Sequence, residues 1–235
     1  MNKKRKVLLA LPIMVILTLV GYTLVLGIAL GFDDPVLEFP IYETERIVRL
    51  SAYHTPDWGE PGVFHSGIDL VISDNVTIVS PVTGAVVGLS EHVNPYAGNM
   101  LFEISIAVNW AWVVQLVIEP GFLDVTNNSL QSTMIDVEFG QRVEPGVALA
   151  TLLFSENYPH LHYMVGYFGS DVCAYNYSSS AARSTFETIA TASNSTIFYP
   201  HPSPNPLTSP LILIPLVMLG VYTIVVIAVF RRRSK

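Results

Sequence analysis

The sequence predicts a mainly β domain outside a membrane, with one short helix near its C-terminal end and a transmembrane α-helix on either side. Three observations carry that expectation. Residues 7–32 and 211–230 are apolar runs without a charged side chain, and about 20 such residues suffice to cross a bilayer as a helix. Lys3, Lys4, Arg5 and Lys6 precede the first run, and Arg231, Arg232, Arg233 and Lys235 follow the second. Cytoplasmic flanks carry the positive excess, so both termini are expected in the cytoplasm and the middle outside. Between the runs, segments rich in Val, Ile, Leu and aromatic residues alternate with Pro, Gly and Asn, the pattern of short strands and turns.

In chain order, residues 1–6 form a basic cytoplasmic tail and 7–32 a signal anchor. A cleaved secretory signal also starts with a basic cluster, but its apolar core is shorter and ends in a small-residue cleavage site. Ala29 and Gly31 match that site poorly, so the run is read as uncleaved. Residues 33–198 form the exterior domain, opening on a short connector at 33–40, and are enough for one domain with its own core. Strands are expected at 76–79, 84–89, 100–108, 110–118 and 147–154. The one helical stretch is expected at 178–192, where Ala181, Ala182, Phe186 and Ile189 make an apolar stripe that packs on the sheet after a strand at His160. Residues 199–210 carry a proline at nearly every second position, which favours an extended polyproline conformation. They read as a stiff stalk to the second span at 211–230, with His201 exposed in it, and a basic tail at 231–235 closes the chain.

Charge narrows the function classes. Eight of the 12 Lys and Arg residues flank the apolar runs, which leaves Arg46, Arg49, Arg142 and Arg183 against all 19 acidic residues, a net charge of −15 for the middle segment. Such a field repels phosphate backbones and argues against a nucleic-acid partner, while it favours cationic substrates or divalent ions. No lysine lies between Val7 and Ser234, so Schiff-base chemistry and lysine-attached carriers are excluded from the domain. Cys173 is the single cysteine; it forms no intramolecular disulfide and reads as a buried small residue. Asn75, Asn127, Asn176 and Asn194 each start an Asn-x-Ser/Thr acceptor pattern, consistent with glycosylation of an exterior domain.

Two short blocks concentrate the chemistry. The first is His65-Ser66-Gly67-Ile68-Asp69, and the second is Pro159-His160-Leu161-His162-Tyr163. Residues two apart in a strand point to the same face, so His160 and His162 are expected to face one cleft. Gly67 is expected to allow the tight path that brings His65 and Asp69 to a common point. Imidazole nitrogen and carboxylate oxygen are common zinc ligands, and a catalytic zinc site uses three protein ligands. His65, Asp69 and His162 are the candidate metal ligands, with His160 beside them.

The order of His65-Ser-Gly-Ile-Asp69, Ile78-Val-Ser-Pro-Val-Thr-Gly-Ala-Val-Val87, Gly98-Asn99, Val137-Glu-Phe-Gly-Gln-Arg-Val-Glu-Pro-Gly146 and His160-Leu-His162 resembles the lysostaphin-type zinc metallopeptidases over residues 54–165. The resemblance implies a barrel-sandwich-like antiparallel β-sheet domain with the metal in a groove. It implies Zn2+ on His65, Asp69 and His162, and His160 as the catalytic imidazole. It implies hydrolysis of peptide bonds in cell-envelope material by a zinc-activated water. One departure stands out. The family has a further histidine on a strand between the two blocks, yet no histidine occurs from Val93 to Pro159. The corresponding strand offers Gln115 and Glu119, and Glu119 is taken as the catalytic partner of His160.

Two other readings explain part of the pattern. One is a metallopeptidase-like module that binds or regulates in the envelope without cutting. The other is a barrel domain of membrane-fusion adaptors, which the segments at 80–87 and 140–146 resemble; there a helical hairpin usually separates the halves, whereas residues 100–118 read as strands. Other aromatic and polar residues have plain roles. His92 reads as a surface-loop residue and His54 as part of a turn. Trp58, Trp110 and Trp112 read as packing residues or groove walls, and Asp57 and Glu60 as an acidic rim or solvated side chains.

Overall fold

The computed structural model describes residues 33–200. Both apolar runs, their basic flanks, His201 and the stalk beyond Pro200 lie outside the described residues. Among the described residues no helix is long and apolar enough to cross a membrane.

Ten strands dominate: β1 (Ile47–Ser51), β2 (Ile68–Ile72), β3 (Val76–Val79), β4 (Gly84–Val93), β5 (Met100–Ala107), β6 (Trp112–Glu119), β7 (Arg142–Val143), β8 (Ala148–Leu152), β9 (His160–Tyr167) and β10 (Ser170–Val172). Two α-helices accompany them, α1 (Val125–Ser132) and α2 (Ser180–Ser193). The larger sheet runs β1-β2-β9-β6-β5-β4-β7 with β10 added on β9, and β3 pairs β8 in a second sheet. Every strand pairing is antiparallel.

Period-two alternation divides the central strands into two faces. Ile104 and Ile106 of β5, Leu116 and Ile118 of β6, and Leu161, Tyr163 and Val165 of β9 are all fully buried on one face. Directly paired residues of an antiparallel ladder share a face. On the opposite face the register therefore lines up Ser51, Asp69, His162, Val117, Glu103 and Ser90 in one row across six strands. The adjacent row carries Val71, His160 and Glu119. This second face is less deeply buried, and it holds every candidate ligand except His65, which precedes β2.

Several expectations need correction. The expected strand at 110–118 starts at Trp112, because the Asn109 side chain accepts hydrogen bonds from the N–H groups of Ala111 and Trp112 at 2.9 and 3.1 Å and closes a turn there. His92 lies in β4, exposed, opposite Leu101, and not in a loop. The helix at 178–192 is not the only one: α1 is capped by Asp124, which accepts from the Asn127 N–H at 2.8 Å. In α2 the buried stripe is Ala182, Phe186, Ile189 and Ala190, with Ala181 exposed, and the helix packs against β1. The segment at 33–40 is no loose connector: Leu37 is fully buried and its backbone bonds to Tyr177 and Ser179 at 2.9 and 2.8 Å.

Candidate metal centre

The sheet brings His65, Asp69 and His162 together. One ligand atom from each lies within 4.8 Å of the others, the one such group of three among the described residues. Asp69 of β2 and His162 of β9 are a directly paired couple in the ladder, so the backbone register alone sets them side by side. His65 enters from the loop before β2. Its own position is pinned by backbone hydrogen bonds to His54 and Thr55 at 2.8 and 3.0 Å.

Gly67 has a different role from the one expected. It is not among the positive-φ residues, so a special turn conformation is not what it supplies. A Cβ at this position would come within 2.7 Å of the Tyr163 carbonyl oxygen, 2.9 Å of Met164 Cγ and 3.0 Å of His162 Cε1. Glycine is required because the first block lies directly on β9.

The hydrogen bonds around the three side chains fix which atoms face one another. His65 Nδ1 donates to the Ala52 carbonyl at 2.7 Å, so Nε2 is the His65 nitrogen turned to the site. The Ser66 hydroxyl lies 3.3 Å from His162 Nε2 and 3.8 Å from Met164 Sδ, so Nδ1 is the His162 nitrogen turned toward Asp69 and His65. These two nitrogens and Asp69 Oδ1 form a triangle with edges of 3.0 Å (His65 to Asp69), 2.7 Å (His162 to Asp69) and 3.1 Å (His65 to His162). Three such atoms at that separation are held together by shared protons or by a cation between them. Zinc bonds of about 2.0–2.1 Å set tetrahedral donors about 3.3 Å apart, close to the edges observed. Asp69 Oδ2 is buried and accepts no hydrogen bond within the described domain, a loss that a shared cation offsets. The donor set thus fits Zn2+.

His65 and Asp69 are each 1% exposed. Burial alone would raise the Asp69 carboxyl pKa; hydrogen bonds from His162 and His65 and the charge of His160 and His162 win and hold it far below the usual carboxylate range. Trp58 stacks on one face of the His65 ring with ring centroids 4.1 Å apart. It is a wall of the site and not a core residue, whereas Trp112 is fully buried.

His160 and Glu119 stand next to this triangle. They are a directly paired couple on β9 and β6, with His160 Nε2 3.5 Å from Glu119 Oε1 and 3.7 Å from Asp69 Oδ1. His160 Nδ1 donates to the Tyr158 carbonyl at 2.9 Å, so the ring presents Nε2 to the site. Burial opposes the charged ring, but the hydrogen bond and charge of Glu119 and the charge of Asp69 outweigh it and raise its pKa to about 9. Glu119 responds in kind: burial pushes its pKa up, and His160 brings it below its ordinary value. Asn94 also reaches Glu119, at 3.3 Å.

The other candidates lie elsewhere. Gln115 turns to Glu103 at 3.0 Å and not to His160. His54 stacks on Phe64, ring centroids 4.2 Å apart, in a left-handed turn. Asp57 caps the Gly62 N–H at 2.7 Å. Four participants escaped the sequence: the Ala52 carbonyl, the Ser66 hydroxyl, Tyr158 and Asn94. None carries a motif of its own; each acts through where the backbone places it.

No protein-family model and no curated protein matches the sequence. Solved structures do. The chain is similar to a zinc-containing peptidase from Vibrio cholerae at 19% identity and a TM-score of 0.41, covering 59% of this chain and 39% of that one. It is also similar to the catalytic domain of a mutant of the prophage-encoded M23 protein EnpA from Enterococcus faecalis, at 18% identity and a TM-score of 0.41, covering 57% of this chain and 94% of that one. A third is the catalytic domain of the antimicrobial peptidase lysostaphin from Staphylococcus simulans, at 16% identity and a TM-score of 0.35, covering 52% of this chain and 81% of that one. The chain therefore spans about two fifths of the Vibrio cholerae peptidase. Lysostaphin, whose family the motif order resembles, is thus among the solved structures similar to this domain.

Proposed function

We propose that the domain is a zinc metalloendopeptidase that cuts peptide bonds in cell-envelope material, held outside the membrane by the two apolar runs. The observation that carries the chemistry is the triangle of His65 Nε2, His162 Nδ1 and Asp69 Oδ1, buried at the foot of an open sheet face. Bound there, zinc supplies a Lewis acid that polarises a carbonyl and acidifies water. His160 offers Nε2 at the mouth of the triangle and can take or return a proton there. Glu119 holds that ring from the neighbouring strand and stabilises its protonated form. The Tyr158 carbonyl fixes the ring from its other end, so His160 arrives oriented.

A second reading is favoured by one specific feature. The residue directly opposite His160 on β6 is a carboxylate and not a second imidazole. A carboxylate cannot donate a proton to a developing oxyanion at neutral pH unless its pKa is raised, and that of Glu119 is lowered. This is the pattern of a domain that binds metal and peptide without turning over.

Both readings meet in one experiment on the purified full chain. Elemental analysis after dialysis should find about one zinc per chain, lost in His162→Ala and in Asp69→Ala and kept in His160→Ala. Cleavage of an envelope peptide mixture, lowered at least about 100-fold in His160→Ala, establishes the peptidase. Zinc without cleavage establishes the binding module, and absence of zinc from the unaltered chain overturns both. The membrane placement rests on the basic flanks of the apolar runs. Protease added outside sealed cells should degrade residues 33–198 and spare tags on both termini; digestion of either tag would overturn that topology.

A further inference from the structure

We infer that Glu103 forms a subsite for a cationic group of the substrate, two strands away from the metal ligands. This rests on the peptide-binding reading of the same sheet face, and it goes beyond that reading by naming what the ligand carries.

Glu103 lies in the row that also contains Asp69 and His162: it is the ladder partner of Val117, and Val117 is the ladder partner of His162. Paired residues share a face, so the Glu103 carboxylate stands on the side of the sheet that carries the metal centre. Strands are about 4.8 Å apart, which sets Glu103 about 10 Å from His162. An extended chain advances about 3.3 Å per residue. A peptide lying across the strands therefore reaches Glu103 about three residues from the bond held at the metal.

The carboxylate is preorganised. Its Oε1 accepts from the Ser105 hydroxyl at 2.6 Å and from Gln115 Nε2 at 3.0 Å, both on the same face. Its Oε2 accepts no hydrogen bond within the described domain, and none of the domain's ion pairs includes Glu103. Ser105 is 8% exposed and Glu103 itself is half-buried. On the same face, Ser90 stands directly opposite it, Val117 on the other side, and Leu101, Gly88 and His92 diagonal or next along the strands. A half-buried carboxylate held by two neutral donors and lacking a countercharge binds an ammonium or guanidinium group more strongly than a solvated one does. The excess of acidic residues in residues 33–200 draws the same kind of ligand toward it.

The test uses the zinc-loaded full chain and acetylated, amidated alanine hexapeptides in which one residue, lysine or norleucine, is moved through the positions. Affinity is read by calorimetry, and cleavage by mass spectrometry. Lysine should bind about tenfold more tightly than norleucine at one position, and the ratio should shrink as salt is added. Glu103→Gln, which keeps the hydrogen bonds with Ser105 and Gln115, should bring that ratio to about one and leave the norleucine peptides unaffected. Glu103→Asp keeps the charge and should keep the preference. Equal binding of both peptides at every position by the unaltered chain overturns the subsite, as does a preference that survives Glu103→Gln or a failure to bind any of the peptides. Preference without cleavage removes the peptidase reading and leaves the subsite standing; cleavage without preference does the reverse.

Discussion

Gly67 decides more of the metal centre than its lack of a side chain suggests. The loop before β2 delivers His65 to the triangle only because its backbone rests on β9, and the space for a Cβ is already taken by the Tyr163 carbonyl, Met164 and His162 Cε1. The Tyr163 carbonyl oxygen belongs to the sheet and cannot swing aside. Gly67→Ala therefore moves the loop or tilts the His162 ring, and either change opens the distances of about 3 Å among the three donors. Disturbance of groups that orient metal ligands typically costs about 10- to 100-fold in affinity. Competition with a chelator should show zinc affinity falling within that range in Gly67→Ala, while the β-sheet signal in circular dichroism is retained. Unchanged zinc affinity would mean that the loop has slack, and that the ladder pair of Asp69 and His162 holds the metal alone.

At the scale of elements, legibility followed the strength of the local pattern. The expected strands at 76–79, 84–89, 100–108 and 110–118 overlap β3, β4, β5 and β6 because Val, Ile and aromatic residues there are bounded by Pro, Gly and Asn. The ligand blocks were legible for the same kind of reason: His-x-His on a strand puts two rings on one face whatever the rest of the fold does. By contrast α1 reads Val-Thr-Asn-Asn-Ser-Leu-Gln-Ser, a polar segment without an apolar stripe. What holds it is long-range hydrogen bonding, from Ser132 to Glu91 and above all from Gln131. Gln131 is fully buried, donates to the Thr151 carbonyl at 2.8 Å and accepts from the Leu153 N–H at 2.9 Å, tying the helix to β8. A contact between residues 20 and 22 positions apart leaves no periodicity to read. β1 escaped for a related reason: two exposed residues, Val48 and Arg49, separate its buried Ile47 and Leu50, which breaks the alternation at the bulge opposite β2. The pairing of Glu119 with His160 was guessed from the residues on offer, but the face that Glu103 shares with the metal ligands emerged only from the register of three strands.

For the molecule as a whole, stability on the alkaline side follows from groups that the fold keeps neutral. Burial raises the Cys173 thiol from 9.0 to about 11, against the smaller opposing pull of the Tyr175 and Asn176 N–H groups. Burial likewise raises the Tyr53 phenol to about 12, helped by Asp171, Cys173 and Tyr177, and pushes Tyr163, fully buried, further still. The unfolded chain ionises these groups first. A group with a raised folded pKa contributes its full stability below its unfolded pKa and loses it as the pH climbs to the folded value. For Cys173 that window runs from about 9 to about 11. Urea unfolding of the full chain should therefore show stability already falling between about pH 6.5 and 9, as His160 loses its proton, and falling further above about pH 9, where Cys173 accounts for about 2 kcal/mol by about pH 10.5. Cys173→Ala removes a thiol that is 5% exposed and should flatten the decline by that amount, at a modest packing cost near neutral pH. The same burial makes the native thiol slow to alkylate, since the thiolate is the reactive form; iodoacetamide should label it at about pH 8 only after urea is added. An unaltered alkaline slope in Cys173→Ala would assign the loss to the tyrosines alone.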